Sequence, residues 1–266
     1  MIFTWPVYQE YHFDSQWEEG ADGLQQVEYI RADILSGHKE IRPVEYPALY
    51  LKLSKVATKE ESLDFGHRYG LLTNKTEERV NDFLSHAHEL RECLELYEAL
   101  QNNDSLGIEN NKLGELVKAR IFAEEMSPEE MAKKALAEHI SGRLKGAGYR
   151  MYNLKLLPFC NTLLEAVYLK VAEIIDKEAE LVRCKECGSL FKPVRAGQQF
   201  CLPGTGKGRS PCQNRYAVRK WREEEQVKDK VYSLWEEGKL LDEIMQATGL
   251  SAEKMQSLLG NICKEV

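Results

Sequence analysis

Apolar side chains recur every three or four residues along much of residues 1–180, which predicts amphipathic helices. Asn74 and Glu77 have the spacing of a capping box, so a helix is expected to begin near Asn74. Its apolar stripe contains Val80, Phe83, Leu84, Ala87, Leu90, Leu94, Tyr97 and Leu100. Ser127 followed by Pro128 is a typical helix start, and the apolar run from Leu163 predicts another helix.

The first 60 residues show a weaker pattern. Ser15 with Glu18 is expected to open a short helix, which Leu24, Val27, Ile30 and Ile34 continue at helical spacing. Residues 44–53 alternate apolar and polar side chains only in part and are expected to be extended. The predicted fold class is mainly α. It comprises a multihelical N-terminal domain at 1–180 with one short hairpin, a four-cysteine module at 181–226 and a helical tail at 227–266.

Four of the seven cysteines lie close together in the sequence. Cys184 and Cys187 form a CxxC pair followed by Gly188, and Cys201 and Cys212 come next. A CxxC pair places two sulfurs on one tight turn, and zinc takes four ligands at tetrahedral corners. We therefore expect these four cysteines to bind one structural Zn²⁺, which supplies the folding energy of a module too small to bury a core.

The alternatives are a redox CxxC and incidental buried cysteines. A redox pair normally follows a strand, opens a helix and does not need two more cysteines downstream. Four sulfur ligands also leave no open position for a catalytic water. Cys93, Cys160 and Cys263 lie on helical stripes and are expected to be core cysteines.

A basic helix is expected to begin at Ser210 and Pro211, directly before the last cysteine of the group. Successive turns place three arginines on one narrow stripe, whereas Ala217, Val218 and Trp221 lie towards the opposite side and are expected to pack inward. The candidate nucleic-acid contacts are Arg215, Arg219, Arg222, Lys220, Lys207 and Arg209. The alternative is a solvated face whose arginines pair with Glu223–Glu225.

The charge is distributed unevenly. The chain carries a net charge of −7, but residues 183–222 contain ten basic residues and one acid, Glu186, which gives +9. The flanking segments 1–182 and 223–266 carry −11 and −5. So basic a module in an acidic protein indicates a polyanionic partner. Docking of the module on its own acidic neighbour is the alternative.

The cysteine module resembles the CGNR zinc-finger family. The likeness lies in Cys184-x2-Cys187, an aromatic-bearing hairpin, Cys201, and Cys212-Gln213-Asn214-Arg215 followed by a basic helix, with Gln213 where the family's tetrapeptide has Gly. The segment 64–72, DFGHRYGLL, is similar to part of the family's N-terminal domain. The resemblance implies a bacterial transcription regulator with a helical, ABATE-type N-terminal domain. It also implies that Cys184, Cys187, Cys201 and Cys212 bind zinc and that Asn214 and Arg215 belong to the signature turn.

The tail and the N-terminal domain offer further candidates. In the tail, Gly249 joins two short apolar-periodic stretches, which fits either a helix-turn-helix or a helical hairpin that packs on the core or makes a homodimer. His67 and Arg68 are candidates for a ligand pocket, although a lone histidine is commonly just hydrogen-bonded. The HExxH, GxSxG and GxGxxG motifs are absent from the sequence, so no catalytic group is expected.

These observations predict a zinc-stabilised DNA-binding protein in the cytoplasm, with DNA favoured over RNA as the partner. The N-terminal domain is expected to sense a small-molecule or protein effector. A protein-interaction adaptor with a structural zinc module, and an enzyme with its site in residues 1–182, are the other hypotheses. No apolar run approaches the roughly 20 residues of a membrane span, and Met1–Pro6 lacks the pattern of a secretory signal.

Overall fold

Helix accounts for about half of the described residues, and the strands among them form four small sheets. The computed structural model describes residues 3–21, 23–46, 48–113, 126–152, 155–202 and 209–255. The protein is therefore a mixed α/β protein, and the prediction of a mainly α fold with a single short hairpin was wrong.

The chain divides into two compact units. Unit 1 comprises Met1–Val182 with Leu190–Lys192, and unit 2 comprises Arg183–Ser189 with Pro193–Val266. The boundary between them lies within the cysteine-rich segment.

The strands pair locally or across short distances in the sequence. Two-stranded sheets join β1 (Trp5–Tyr8) with β4 (His38–Ile41), β6 (Gly148–Tyr152) with β7 (Lys155–Phe159), and β8 (Val182–Arg183) with β9 (Leu190–Phe191). The remaining sheet has three antiparallel strands in the order β2 (Tyr11–Gly20), β3 (Gly23–Ala32) and β5 (Glu77–Arg79).

The β2–β3 hairpin occupies the segment where the apolar spacing predicted a helix. Of the four residues that suggested that helix, Ile30 is fully buried, whereas Leu24 and Ile34 are exposed. They therefore share no buried face, and an i, i+3 spacing without such a face gives a helix little to pack. The ten-residue pairing with β2 and the contact with β5 satisfy the backbone instead, from Tyr11 opposite Ala32 to Gly20 opposite Gly23.

Unit 1 also contains six helices within the described residues. They are α1 (Leu49–Leu53), α2 (Lys59–Tyr69), α3 (Val80–Gln101), α4 (Ser105–Asn110), α5 (Pro128–Arg143) and α6 (Leu163–Asp176). Helix α1 and a 3-10 turn at Pro43–Glu45 occupy the stretch that was expected to be extended, and four of the five residues of α1 are buried. Burial of successive residues on both sides of the chain explains why the partial alternation was misleading.

The helix starts were predicted with mixed success. Ser127 is the N-cap of α5, as the sequence predicted. Its hydroxyl accepts from the Glu130 backbone N–H, and the Glu130 carboxylate accepts from the Ser127 backbone N–H, which completes a capping box that was not predicted. Helix α3 instead begins at Val80, because Glu77–Arg79 pairs with β3 and Asn74 accepts from the Thr76 backbone. Residues 77–79, which the capping-box spacing assigned to the helix, therefore belong to the three-stranded sheet.

The core of unit 1 lies around α3 and α6, both of which bury most of their apolar residues. Gly70, which ends α2, shows how closely the core is packed beside β1. It has a φ of 87°, and a Cβ at this position would lie 2.7 Å from the Pro6 carbonyl oxygen. Glycine is therefore required in the DFGHRYGLL segment for a conformational reason.

Unit 2 is built around one long helix, α7 (Pro211–Glu236), followed by α8 (Leu241–Thr248) and a helical segment at 252–255. Helix α7 runs without interruption across residue 226, where the sequence placed a boundary between zinc module and tail. Its second half packs through Val231 against Ile244 and Met255. Gly249 ends α8 in the left-handed conformation that the turn requires.

Candidate metal centre

The four cysteines of the predicted cluster meet in unit 2. Their Sγ atoms all lie within 4.8 Å of one another, and the Sγ atoms of Cys187 and Cys201 are 3.5 Å apart. Four sulfurs at about 2.3 Å from one ion at tetrahedral corners are separated by about 3.8 Å. The arrangement can therefore hold one metal ion without a large rearrangement.

The first two ligands come from a tight turn. The Gly188 backbone N–H donates to the Cys184 carbonyl oxygen at 2.9 Å, and Gly188 has a φ of 68°, a conformation that favours glycine. The Cys184 N–H donates to the Ser189 carbonyl at 3.0 Å, which closes the turn. Local backbone bonding thus brings Cys184 and Cys187 together, as the CxxC spacing predicted.

The other two ligands come from separate elements. Lys185 donates its backbone N–H to the Gln199 carbonyl at 2.9 Å, which ties the segment before Cys201 to the turn. Cys212 lies in the first turn of α7, whose N-cap is Ser210, as predicted. The aromatic-bearing hairpin was expected to join Leu190–Pro193 with Gln198–Phe200. In the structure Leu190–Phe191 instead pairs with Val182–Arg183. Phe200 instead packs against Tyr216 of α7, with ring centroids 5.2 Å apart.

The four cysteine thiols differ in pKa, and therefore in how readily each one ionises to the thiolate. Burial acts to raise the pKa of Cys187, but hydrogen bonds from the Ser189 side chain and backbone outweigh it and lower that pKa to about 6. The pKa of Cys184 is also lowered, because backbone hydrogen bonds outweigh its burial. Burial raises the pKa of Cys201 and Cys212. The lowered pKa values of Cys184 and Cys187 favour the thiolate, which is the form that binds a metal.

Two of the predicted nucleic-acid contacts bind inside this module. Arg215 donates through Nη2 to the Cys212 Sγ at 3.2 Å. Arg219 pairs through Nη2 with the Glu186 carboxylate at 3.0 Å, and its Nε lies 3.8 Å from a Glu223 oxygen. Glu186 is the only acid of segment 183–222, so the carboxylate that could repel a polyanion is engaged by α7.

Arg215 and Arg219 are nonetheless exposed, as are the other described candidate cations. Arg209, Lys220 and Arg222 are exposed, with the Lys220 ammonium 5.7 Å from the centre of the Tyr216 ring. Lys207 lies outside the described residues, as does Cys263.

The inward packing that was expected of Ala217, Val218 and Trp221 was wrong, because all three are exposed. The first half of α7 contacts the four-cysteine module through Cys212 and Tyr216. Ala217, Val218 and Trp221 lie on the opposite side of the helix and therefore face away from the module.

His67 and Arg68 lie at the end of α2 and point to different surroundings. Arg68 lines a cleft of about 240 Å³ with Lys52, Asp64 and Tyr69 among its walls. The His67 ring instead stands edge-on to Tyr11, at 5.4 Å between ring centroids.

A half-buried polar cluster in unit 1 was missed. Glu89 pairs with Arg143, and the His139 Nε2 lies 3.1 Å from the Tyr168 hydroxyl. Burial lowers the pKa of His139 and raises that of Cys93 to about 12, which keeps both groups neutral near pH 7. His139 and Arg143 are one helical turn apart, so they share a face of α5. This spacing was the only feature of the sequence that indicated the cluster.

Every helix in the described part of the chain is too short or too polar to span a lipid bilayer. Comparison of the chain with protein-family models, with curated proteins and with solved structures finds no match.

Proposed function

We propose that this protein binds nucleic acid, DNA in preference to RNA, through a zinc-stabilised module in which four cysteines hold the basic end of α7 at the surface. The observation that carries the proposal is that the four-cysteine cluster and helix α7 share a residue. Cys212 belongs to both, so the ion that completes the cluster also positions the exposed cations of α7. The role is the one that the CGNR resemblance implies.

Zinc is the ion that the donor set favours. Four sulfurs and no oxygen or nitrogen ligand form a soft, closed site, which is typical of structural zinc. Little apolar surface is buried around the cysteines in unit 2, where Phe200 and Tyr216 remain partly accessible. Metal binding is therefore expected to supply much of the free energy that folds this module.

The charge distribution favours a polyanion. Arg219 engages the only acid between residues 183 and 222, and Arg215 is directed towards a ligand sulfur. Arg222, Lys220 and Arg209 remain as exposed cations with no opposing carboxylate inside that segment. We assign phosphate contact to these three and a positioning role to Arg215 and Arg219, which hold the helix on the metal turn.

The first experiment measures the metal. We expect one zinc per chain in protein purified without added chelator, and loss of nucleic-acid binding when the zinc is removed. Restoring zinc should restore binding. A metal-free protein that binds DNA as tightly as the loaded one would contradict the proposed role of the cluster.

The second experiment measures the salt dependence of DNA binding. Each lost phosphate contact lowers the slope of log K against log salt by about 0.9. The double variant K220A/R222A should therefore lower the slope by up to about 1.8. The control variant K39A/K145A removes the same charge from exposed positions in unit 1 and should leave the slope unchanged.

Equal slopes for the two double variants would exclude this face of α7 as the contact surface. An absence of salt-sensitive binding by the zinc-loaded wild type would favour a protein-interaction adaptor.

A further inference from the structure

Helix α7 carries large apolar side chains on its solvent side. Val218 is 46% exposed, Trp221 60%, Tyr232 37% and Trp235 46%. Two tryptophans and a tyrosine on a single exposed helix are unusual for a surface that meets only water.

These residues follow a heptad pattern. Together with Glu225 and Lys228 they occupy positions 218, 221, 225, 228, 232 and 235, so the spacing alternates between three and four as at the a and d positions of a coiled coil. On one helix they form a band about 100° wide and about 26 Å long. We call this band the α7 seam.

The other faces of α7 have partners within unit 2. Cys212 and Arg219 face the metal turn, and Val231 packs against Ile244 and Met255 of the tail. Neither face coincides with the four large apolar residues of the α7 seam, which are all exposed. At its centre Glu225 and Lys228 are half-buried, and Lys228 borders a cleft that Leu250 and Lys254 of the tail also line.

The α7 seam is symmetric about its midpoint between Gln226 and Val227. When two copies of the helix lie antiparallel about that point, Val218 meets the partner's Trp235, and Trp221 meets the partner's Tyr232. This is the pairing of a with d positions that antiparallel coiled coils use, and it places a large residue in each outer layer. An isologous twofold interface requires this kind of self-complementarity.

The charges fit the same antiparallel register. Glu225 and Lys228, which pair within one helix at 2.6 Å, would each meet the opposite charge of the partner in the central layer. A parallel, in-register pair would instead place Glu225 against Glu225 and Lys228 against Lys228, which is repulsive.

We propose that a second copy of this chain covers the α7 seam, so that the protein is a homodimer joined by antiparallel α7 helices with a central Glu225–Lys228 layer. The proposal rests on the symmetric arrangement of the apolar residues and of the two charged residues along the α7 seam. It does not depend on nucleic-acid binding.

The test uses charge reversal in the full-length protein, with mass measured by sedimentation. The wild type should sediment as a dimer. E225K and K228E should each raise the dimer dissociation constant by at least about tenfold, since each creates two like-charge contacts. Mixed in equal amounts, the two variants should form a heterodimer about as tight as the wild type, because both contacts in its central layer are again between opposite charges.

The controls separate folding and orientation from association. K239E makes the same charge change at an exposed site off the seam and should remain dimeric. W221S should weaken the dimer by about thirtyfold or more with unchanged helix content by circular dichroism, since buried aromatic residues dominate interface energies.

A monomeric wild type at about 100 µM, well above the micromolar dissociation constants of weak interfaces, or dimers unaffected by W221S, would overturn the proposal. A mixture that associates more tightly than the wild type would overturn the antiparallel register, because only a parallel pair gains from the exchange.

Discussion

Replacing Glu78 by glutamine will flatten the pH dependence of stability of unit 1. The Glu78 carboxylate is almost fully buried, where one oxygen accepts from the Leu72 backbone N–H at 2.6 Å and the other from the Thr73 hydroxyl at 2.9 Å. Burial raises its pKa from 4.5 to about 7, against the opposing effect of these hydrogen bonds. Ionising the carboxyl group at neutral pH is therefore costly.

The sign and size of the effect follow from proton linkage. Because the pKa is higher in the folded state, the stabilisation by the bound proton is complete below about pH 4.5 and is lost as the pH rises through about 7. With about 1.4 kcal/mol for each tenfold difference in acidity, the loss amounts to about 3 kcal/mol at pH 8. The glutamine side chain of the E78Q variant cannot ionise, so the variant should lose none of its stability by this route.

The assay is urea unfolding between pH 5 and pH 8, followed by tryptophan fluorescence. The E78Q variant keeps one acceptor oxygen for two donors and should be about 1–3 kcal/mol less stable than the wild type at pH 5. The difference should shrink or reverse at pH 8. E19Q, a change at an exposed carboxylate, should follow the wild type at every pH. A wild-type curve parallel to that of E78Q would refute the assignment of a raised pKa to Glu78.

Three further changes test the fold and the metal centre. G70A should destabilise the protein by more than about 1 kcal/mol in the same urea assay, because it adds a Cβ at a positive φ and 2.7 Å from the Pro6 oxygen, whereas G142A meets open space and should be neutral or stabilising. S127A removes the N-cap of α5 and should cost about 1 kcal/mol of unfolding free energy. C201S should reduce the zinc content of the purified protein well below one per chain, while C160S, outside the cluster, should leave it unchanged.

Parts of the four-cysteine cluster could be predicted from short spacings in the sequence. The spacing of Cys184 and Cys187 requires only one tight turn, and Ser210 with Pro211 places Cys212 at a helix start. Both are interactions between near neighbours in the chain. The same is true of the N-cap at Ser127, whose hydrogen bonds span three residues. Cys201 was included because zinc takes four ligands, and its approach to the turn depends on a longer-range contact, the hydrogen bond from the Lys185 N–H to the Gln199 carbonyl.

Strand pairing and tertiary burial decided the remainder. The ladder between β2 and β3, and its extension to β5, overrode a helical spacing at Leu24–Ile34 and moved the start of α3 from Asn74 to Val80. Backbone pairing of this kind leaves only a weak mark on periodicity, because the hairpin is largely exposed and few of its residues need to be apolar. The pKa of Glu78 likewise depends on burial by elements that the local sequence does not specify.

Residue types and short spacings therefore identified the four-cysteine cluster, the basic segment and the ends of several helices. The CxxC turn and the helix ends depend on atoms within a few residues of one another, whereas the inclusion of Cys201 and Cys212 followed from the four ligands that zinc takes. The side of α7 that meets the metal turn, the engagement of Arg215 and Arg219 within the module and the exposure of Trp221 came from tertiary packing. A helical stripe records which residues share a face, but the surface that this face meets depends on elements elsewhere in the chain.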